Sequence, residues 1–141
     1  MSIEINTFGA GNFIHKDNKI IHNYNNDLYI DARSLKGLNV GINNVGIDKT
    51  TRRKYLKNYI VKEFYDNNIL FPIRERINNN INFSVYIYCH QGKHKSVCLA
   101  EQLYKDIKKR CKVNISHLDI NNENHNWKDK DSNANIFLIN I

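Results

Sequence analysis

Polar and apolar residues alternate at the start of the chain, with Ile3, Ile5 and Phe8 on one side of the pattern or its end. A period of two predicts a strand over Ser2–Phe8. Gly9-Ala10-Gly11-Asn12 ends it with loop chemistry. Leu28–Ile30 is a short apolar run, expected as a second strand that finishes at Asp31-Ala32-Arg33. Residues 34–46 hold three of the six glycines and show little periodicity, so a loop lying over a site is expected there. Asp48 suits an N-cap. Tyr55, Leu56, Tyr59, Ile60, Glu63 and Phe64 then recur at i, i+3/i+4 and predict one amphipathic helix of about five turns. Ile69–Ile77 is a second helical piece, with Pro72 tolerated in its first turn. Phe83–Tyr88 is the strongest strand signal, because only Ser84 is not a β-former. Ser96 is expected to cap a helix running to about Arg110, with Val97, Ala100, Leu103, Tyr104 and Ile107 on one face and Lys105, Lys108, Lys109 and Arg110 in its last turns. Lys112–Leu118 alternates again and predicts a strand.

Strand, helix, strand from Phe83 to Leu118 is a βαβ unit, which makes its strands parallel and its crossover right-handed. The expected fold is therefore α/β: a single domain with a central, mostly parallel or mixed sheet and flanking helices. Residues 1–120 form that domain in this reading. Residues 121–141 form an Asn-rich tail in which Phe137–Ile141 is a candidate edge strand.

At 141 residues, 41% hydrophobic and 11% aromatic, the chain suits one folded domain. The Asn runs at 78–80 and 121–126 are read as coding bias, not as prion-like tracts. A formal charge of +7 favours polyanionic partners, RNA among them. The helix face of Lys49, Arg52, Arg53, Lys57 and Lys62 is the candidate nucleic-acid surface. Cys89, Cys98 and Cys111 are odd in number and form no C-x-x-C pair, which excludes a disulfide framework and a structural zinc site of the usual spacing. No signal-peptide pattern follows Met1, and no apolar run reaches the roughly 18 residues of a membrane span, so a cytoplasmic protein is expected. His15, His22, His90, His94 and His117 lack ligand spacing, and neither a metal nor a cofactor is expected. His125 and Trp127 fall in the tail, where Trp127 is as well suited to anchoring the tail as to stacking on a base.

The densest chemistry is Cys89-His90-Gln91-Gly92-Lys93-His94-Lys95-Ser96, between the strongest strand and a helix. Ligands of open parallel sheets bind at the carboxyl ends of strands, and a helix N-terminus favours anions. Gly92 permits tight curvature, Lys93, His94 and Lys95 add positive charge, and Ser96 supplies a hydroxyl. Asp31 and Arg33, ending the second strand, are candidates to take ligand hydroxyl or amine groups and a phosphate, or to pair with each other. The Walker A pattern fails here, with a single glycine. The spacing C-x-x-G-x-x-K-S is similar to the C-x5-R-[ST] loop of cysteine-dependent phosphatases, which makes Cys89 a candidate nucleophile. Lys95, however, stands where those enzymes place a bidentate Arg.

The stretch Tyr88–Val97 resembles the Gly-Cys-Thr-Gly-Gly-x-His-Arg-Ser-Val segment of the C-terminal domain of the RNase adapter RapZ, matching at Cys89, Gly92, His94, Ser96 and Val97. Cys98-Leu99-Ala100-Glu101-Gln102-Leu103 extends the match into that family's Ala-Glu-x-Leu helix. Thr7-Phe8-Gly9, Leu28–Leu35, Gly46-Ile47-Asp48 and Val113–Asp119 with His117 resemble further segments of it, in order. The family's Asn-Pro after the Asp-x-Arg strand is replaced by Lys36-Gly37-Leu38-Asn39, and its Thr-Gly in the loop by His90-Gln91. The nucleotide-binding domain that precedes this one in bacterial RapZ has no counterpart in these residues. The resemblance implies a site for an amino-sugar phosphate or similar phosphorylated small molecule, an RNA-binding regulatory role without a reaction, and self-association as a candidate property. A cysteine-dependent phosphatase using Cys89 is the first alternative. A viral or mobile-element protein sequestering a nucleotide or sugar-phosphate signal is the second.

Overall fold

The computed structural model describes residues 2–10, 26–35, 49–90, 92 and 94–120. Four parallel strands form one sheet: β1 (Ser2–Gly9), β2 (Leu28–Asp31), β3 (Ser84–Cys89) and β4 (Lys112–His117), in the order β2-β3-β1-β4. Alternation assigns Ile3, Ile5, Val85, Ile87 and Ile30 to one face, and all of them are buried. The opposite face carries Glu4, Asn6, Ser84, Asn114 and Ser116, with Tyr29 stacked on Tyr86 at 4.6 Å and Phe8 on Tyr88 at 5.0 Å. The α/β fold with a central parallel sheet and flanking helices is as expected from the pattern.

The helices α1 (Lys49–Lys57), α2 (Tyr59–Tyr65) and α3 (Phe71–Asn78) connect β2 to β3, and α4 (Lys95–Ile107) connects β3 to β4. The single five-turn helix expected after Asp48 is instead broken. Asn58 leaves the helical region (φ −67°, ψ 123°), and its side chain accepts from the amides of Ile60 and Val61, so α2 begins with its own cap. The break rotates the buried stripe. Thr51 and Tyr55 face the core before it, and Val61, Tyr65 and Ile69 after it. Tyr59 and Ile60, expected on the apolar face, are 75% and 63% exposed. A π-helical turn, Asp66–Leu70, joins α2 to α3, and Pro72 lies in the first turn of α3, where its missing N–H costs least.

Ser96 does not cap α4. The N-cap position is His94, which makes no capping side-chain bond, and Ser96 is fully buried in the first turn with its hydroxyl turned to Cys89. The helix stops at Ile107, so Lys108, Lys109 and Arg110 lie past its end. Leu99, Leu103 and Ile107 are fully buried and make α4 the central helix of the core. The expected loop over 34–46 and the Asp48 cap fall almost wholly outside the described residues, as do His15, His22 and the tail with His125, Trp127 and Phe137–Ile141.

Candidate functional site

Register brings the strand ends together. Gly9 pairs with Cys89, Asp31 with Tyr88, and Thr7 with His117, so the last residues of all four strands form one rim. The chain order reverses between β3 and β1, the place where open α/β sheets form a crevice. The turn after β3 fills that place. Gly92 has φ +77° and is buried. A Cβ there would stand 2.5 Å from the Gly9 nitrogen and 2.6 Å from the Phe8 carbonyl carbon. Gly92 is thus needed to pack the turn onto β1, beyond merely allowing it to curve.

The Gly92 N–H donates to the Cys89 sulfur at 3.2 Å, and the Ser96 Oγ shares a hydrogen bond with the same sulfur at 3.2 Å. Cys89 is only 4% exposed. One amide expected to face a ligand is therefore spent inside the turn, on the thiol. His90, His94 and Lys95 are partly exposed around it, and the Lys95 ammonium donates to the Arg33 carbonyl at 3.4 Å, tying the loop to the end of β2. Gln91 and Lys93 lie outside the described residues.

Asp31 and Arg33 pair with each other. Arg33 donates from Nε at 3.0 Å, from a terminal nitrogen at 2.8 Å and from its backbone amide at 2.9 Å, and its guanidinium lies over the Tyr88 ring at 5.4 Å. The pair is a fixed, charged edge to the rim, with Arg33 oriented by both a carboxylate and an aromatic face. Burial works against ionisation of Asp31, but the hydrogen bonds and charge of Arg33, helped by His90, outweigh it and hold the carboxyl below its ordinary value of 3.8. A lowered folded pKa means stabilisation that is present above 3.8 and is lost as pH falls through the lower folded value. Urea unfolding of the parent and of Asp31→Asn should therefore differ at pH 6 and converge as the pH drops towards 3. A difference that stays constant across that range would show that the pair contributes nothing through its charge.

Asp119 and His117 complete the rim. Asp119 is fully buried and its Oδ2 accepts from the Gly9 amide at 2.7 Å. His117 bridges the Thr7 hydroxyl and the Glu101 carboxylate, each at 2.8 Å. Tyr55 lies buried in the core cluster that also holds Cys89 and Cys98. Only the order His117-x-Asp119 at the end of the last strand pointed to the first two. Among the described residues no three His, Cys, Asp or Glu side chains gather as metal ligands, all three cysteines are free thiols, and no helix is long and apolar enough to cross a membrane.

Arg53, Lys57 and Lys62 line a groove of about 270 Å³ with Leu56, Tyr65 and Gln102, and an adjoining groove adds Tyr59 and Phe71. Lys62 is also paired with Asp66 at 2.8 Å. Lys49 is exposed and Arg52 partly so, and neither lines these grooves.

Parallel strands, a glycine turn pressed onto the neighbouring strand and a thiol held beneath it define an α/β domain built around a strand-to-helix loop. Residues 1–121 match the family model of the RapZ C-terminal domain, and the chain belongs to that family. It is 36% identical over 81 residues to a "Nucleotide-binding protein" of Thermosipho melanesiensis, covering 51% of this chain and 29% of that one. It is 30% identical over 82 residues to a protein of the same description from Pediococcus pentosaceus, covering 55% and 28%. The matched stretch thus spans less than a third of either relative's length.

Proposed function

We propose that the loop Cys89–Ser96 holds the phosphoryl group of a phosphorylated small molecule, an amino-sugar phosphate or similar, and that the chain also binds RNA. The observation that carries the first part is the meeting of four strand ends with the N-terminus of α4, where Lys95, His94 and His90 surround a buried glycine turn. In this reading Lys95, His94 and His90, with Lys93, supply charge. Gly92 and Cys89 shape the turn, Gln91 offers an amide, and Ser96 braces the thiol. Arg33, held by Asp31 at the edge of the rim, adds its positive charge to the site. The relatives' descriptions as nucleotide-binding agree with a phosphorylated guest. Free cysteines suit a reducing, cytoplasmic setting.

Calorimetric titration with inorganic phosphate and with phosphosugars tests the site. Lys95→Ala is expected to weaken binding about tenfold, the loss of one charge-assisted contact. Failure of phosphate and of sulfate alike to bind or to raise the unfolding temperature would sink the reading.

RNA is supported by the cationic grooves, where Arg53, Lys57 and Lys62 would meet phosphates while the exposed rings of Tyr59 and Phe71 offer stacking faces. With three such contacts, the logarithm of the binding constant should fall against the logarithm of salt with a slope of about −2 for a single strand. Arg53→Ala with Lys57→Ala should flatten it; an unchanged slope would exclude this surface.

One observation favours a second reading. The Gly92 amide and Ser96 hydroxyl both contact the Cys89 sulfur, an arrangement able to stabilise a thiolate nucleophile. Burial of Cys89 favours holding over reaction. Turnover of para-nitrophenyl phosphate that disappears in Cys89→Ser would make the protein a phosphatase-type enzyme; absence of turnover in the parent removes that reading.

A further inference from the structure

Tyr59, Glu63, Asn67 and Phe71 recur at four-residue steps along α2, the π-helical turn and the start of α3. All four are exposed, and all four line the groove of about 550 Å³. In a regular α-helix such a stripe drifts by about 40° per step, because four residues overshoot one turn of 3.6. The i→i+5 turn at Asp66–Leu70 winds more slowly and takes back part of that drift, which keeps Phe71 on the face of Tyr59. The stripe thus carries an aromatic ring at each end. Between them a carboxylate and an amide are neighbours on the surface. The two grooves also differ in charge. Among the described residues the groove of about 270 Å³ holds Arg53, Lys57 and Lys62 and no acid. The larger one keeps Lys57 and Lys62 but adds Glu63 and Asp66. Asp66 is taken up by Lys62 at 2.8 Å, whereas the side chains of Glu63 and Asn67 have no hydrogen-bond or ion-pair partner among the described residues. A free carboxylate repels phosphate. An RNA strand whose backbone follows the first groove is therefore met in the second by groups suited to a base.

We propose that this stripe reads an unpaired guanine. The inference rests on the RNA reading of the two grooves and adds to it the base that is preferred. Guanine presents O6, N1–H and the N2 amine side by side on its Watson–Crick edge, an acceptor followed by two donors. The Glu63 carboxylate has two acceptor oxygens for N1–H and the amine, and the Asn67 amide donates to O6. The base stacks on Tyr59, which leaves Phe71 for a neighbouring base. Uracil sets a carbonyl oxygen on each side of its one N–H, and both face a carboxylate unfavourably. Adenine and cytosine offer one donor beside a bare ring nitrogen. In a duplex this edge is occupied by the pairing partner, so the guanine must be unpaired.

The full chain and its Glu63→Ala variant test this by fluorescence anisotropy. Two labelled single-stranded probes are compared, an oligouridine and the same oligomer with one uridine replaced by guanosine. The parent should bind the guanosine probe about tenfold more tightly, the low end of what a two-bond contact to a base edge discriminates. Glu63 is exposed and unpaired among the described residues, so Glu63→Ala should melt with the parent. It should erase the preference while binding oligouridine as tightly as the parent or more so, since a charge opposing the phosphates is gone. Lys57→Ala should instead weaken both probes alike. Equal affinity of the parent for the two probes, or a preference that survives in Glu63→Ala, overturns the guanine reading and leaves RNA binding intact. A parent that binds neither probe removes the RNA reading and this inference with it.

Discussion

Gly92→Ala is expected to destabilise the protein by about 3 kcal/mol. A left-handed backbone costs a residue with a Cβ about 1–2 kcal/mol, and forced overpacking adds roughly 1–3 kcal/mol. Both apply here, because φ is +77° and the new methyl would stand 2.5 Å from the Gly9 nitrogen. The two nearest atoms it meets are main chain of β1, an interior strand, which cannot swing aside as a side chain can. For a chain of this size the unfolding temperature should fall by roughly 10 °C. The Gly92 amide would also leave the Cys89 sulfur, so any phosphate binding should go with it. Thermal unfolding checks the first effect and titration the second. A variant melting within a degree or two of the parent would mean that the turn does not pack on β1 as described.

Asp119→Ala is expected to cost about 2 kcal/mol, the penalty for leaving a buried donor without its charged acceptor. The donor is the Gly9 amide, at the end of the strand whose partners are β3 and β4. Asp119→Asn keeps an acceptor oxygen of the same reach and should recover part of the loss. Urea unfolding measures both variants, and hydrogen exchange at the Gly9 amide reports the bond directly. Strong protection of that amide in Asp119→Ala, or stability within about 0.5 kcal/mol of the parent's, would remove Asp119 from the rim's framework.

Both residues show what could and could not be read from the chain. Gly92 stood out as a lone glycine among charged residues between a strand and a helix, and its place in a strand-to-helix turn followed from the alternation before it and the 3.6-residue period after it. Its contact with Gly9, 83 positions away, did not follow. Asp119 looked like an ordinary residue after a strand, noticed only through a family pattern. The expected five-turn helix breaks for a related reason. Tyr55, Leu56, Tyr59 and Ile60 keep helical spacing straight through Asn58, so the pattern is blind to a residue that stops one helix and caps the next. Ser96 illustrates competition for a hydroxyl: in isolation it is a good cap, but beside a buried thiol it turns inward and the helix begins two residues earlier, with His94 in the cap position.

The sequence alone determined the parallel strand-helix-strand unit and the family to which these motifs belong. It could do so because alternation, helical period and turn chemistry are properties of neighbouring residues. Only the tertiary structure decided that β1 lies between β3 and β4, that Gly9 meets both Gly92 and Asp119, and that Arg33 is held by Asp31 and Tyr88. Alternation tells which face a side chain takes but not which strand lies beside it; strand order and register come from burying all the apolar faces at once.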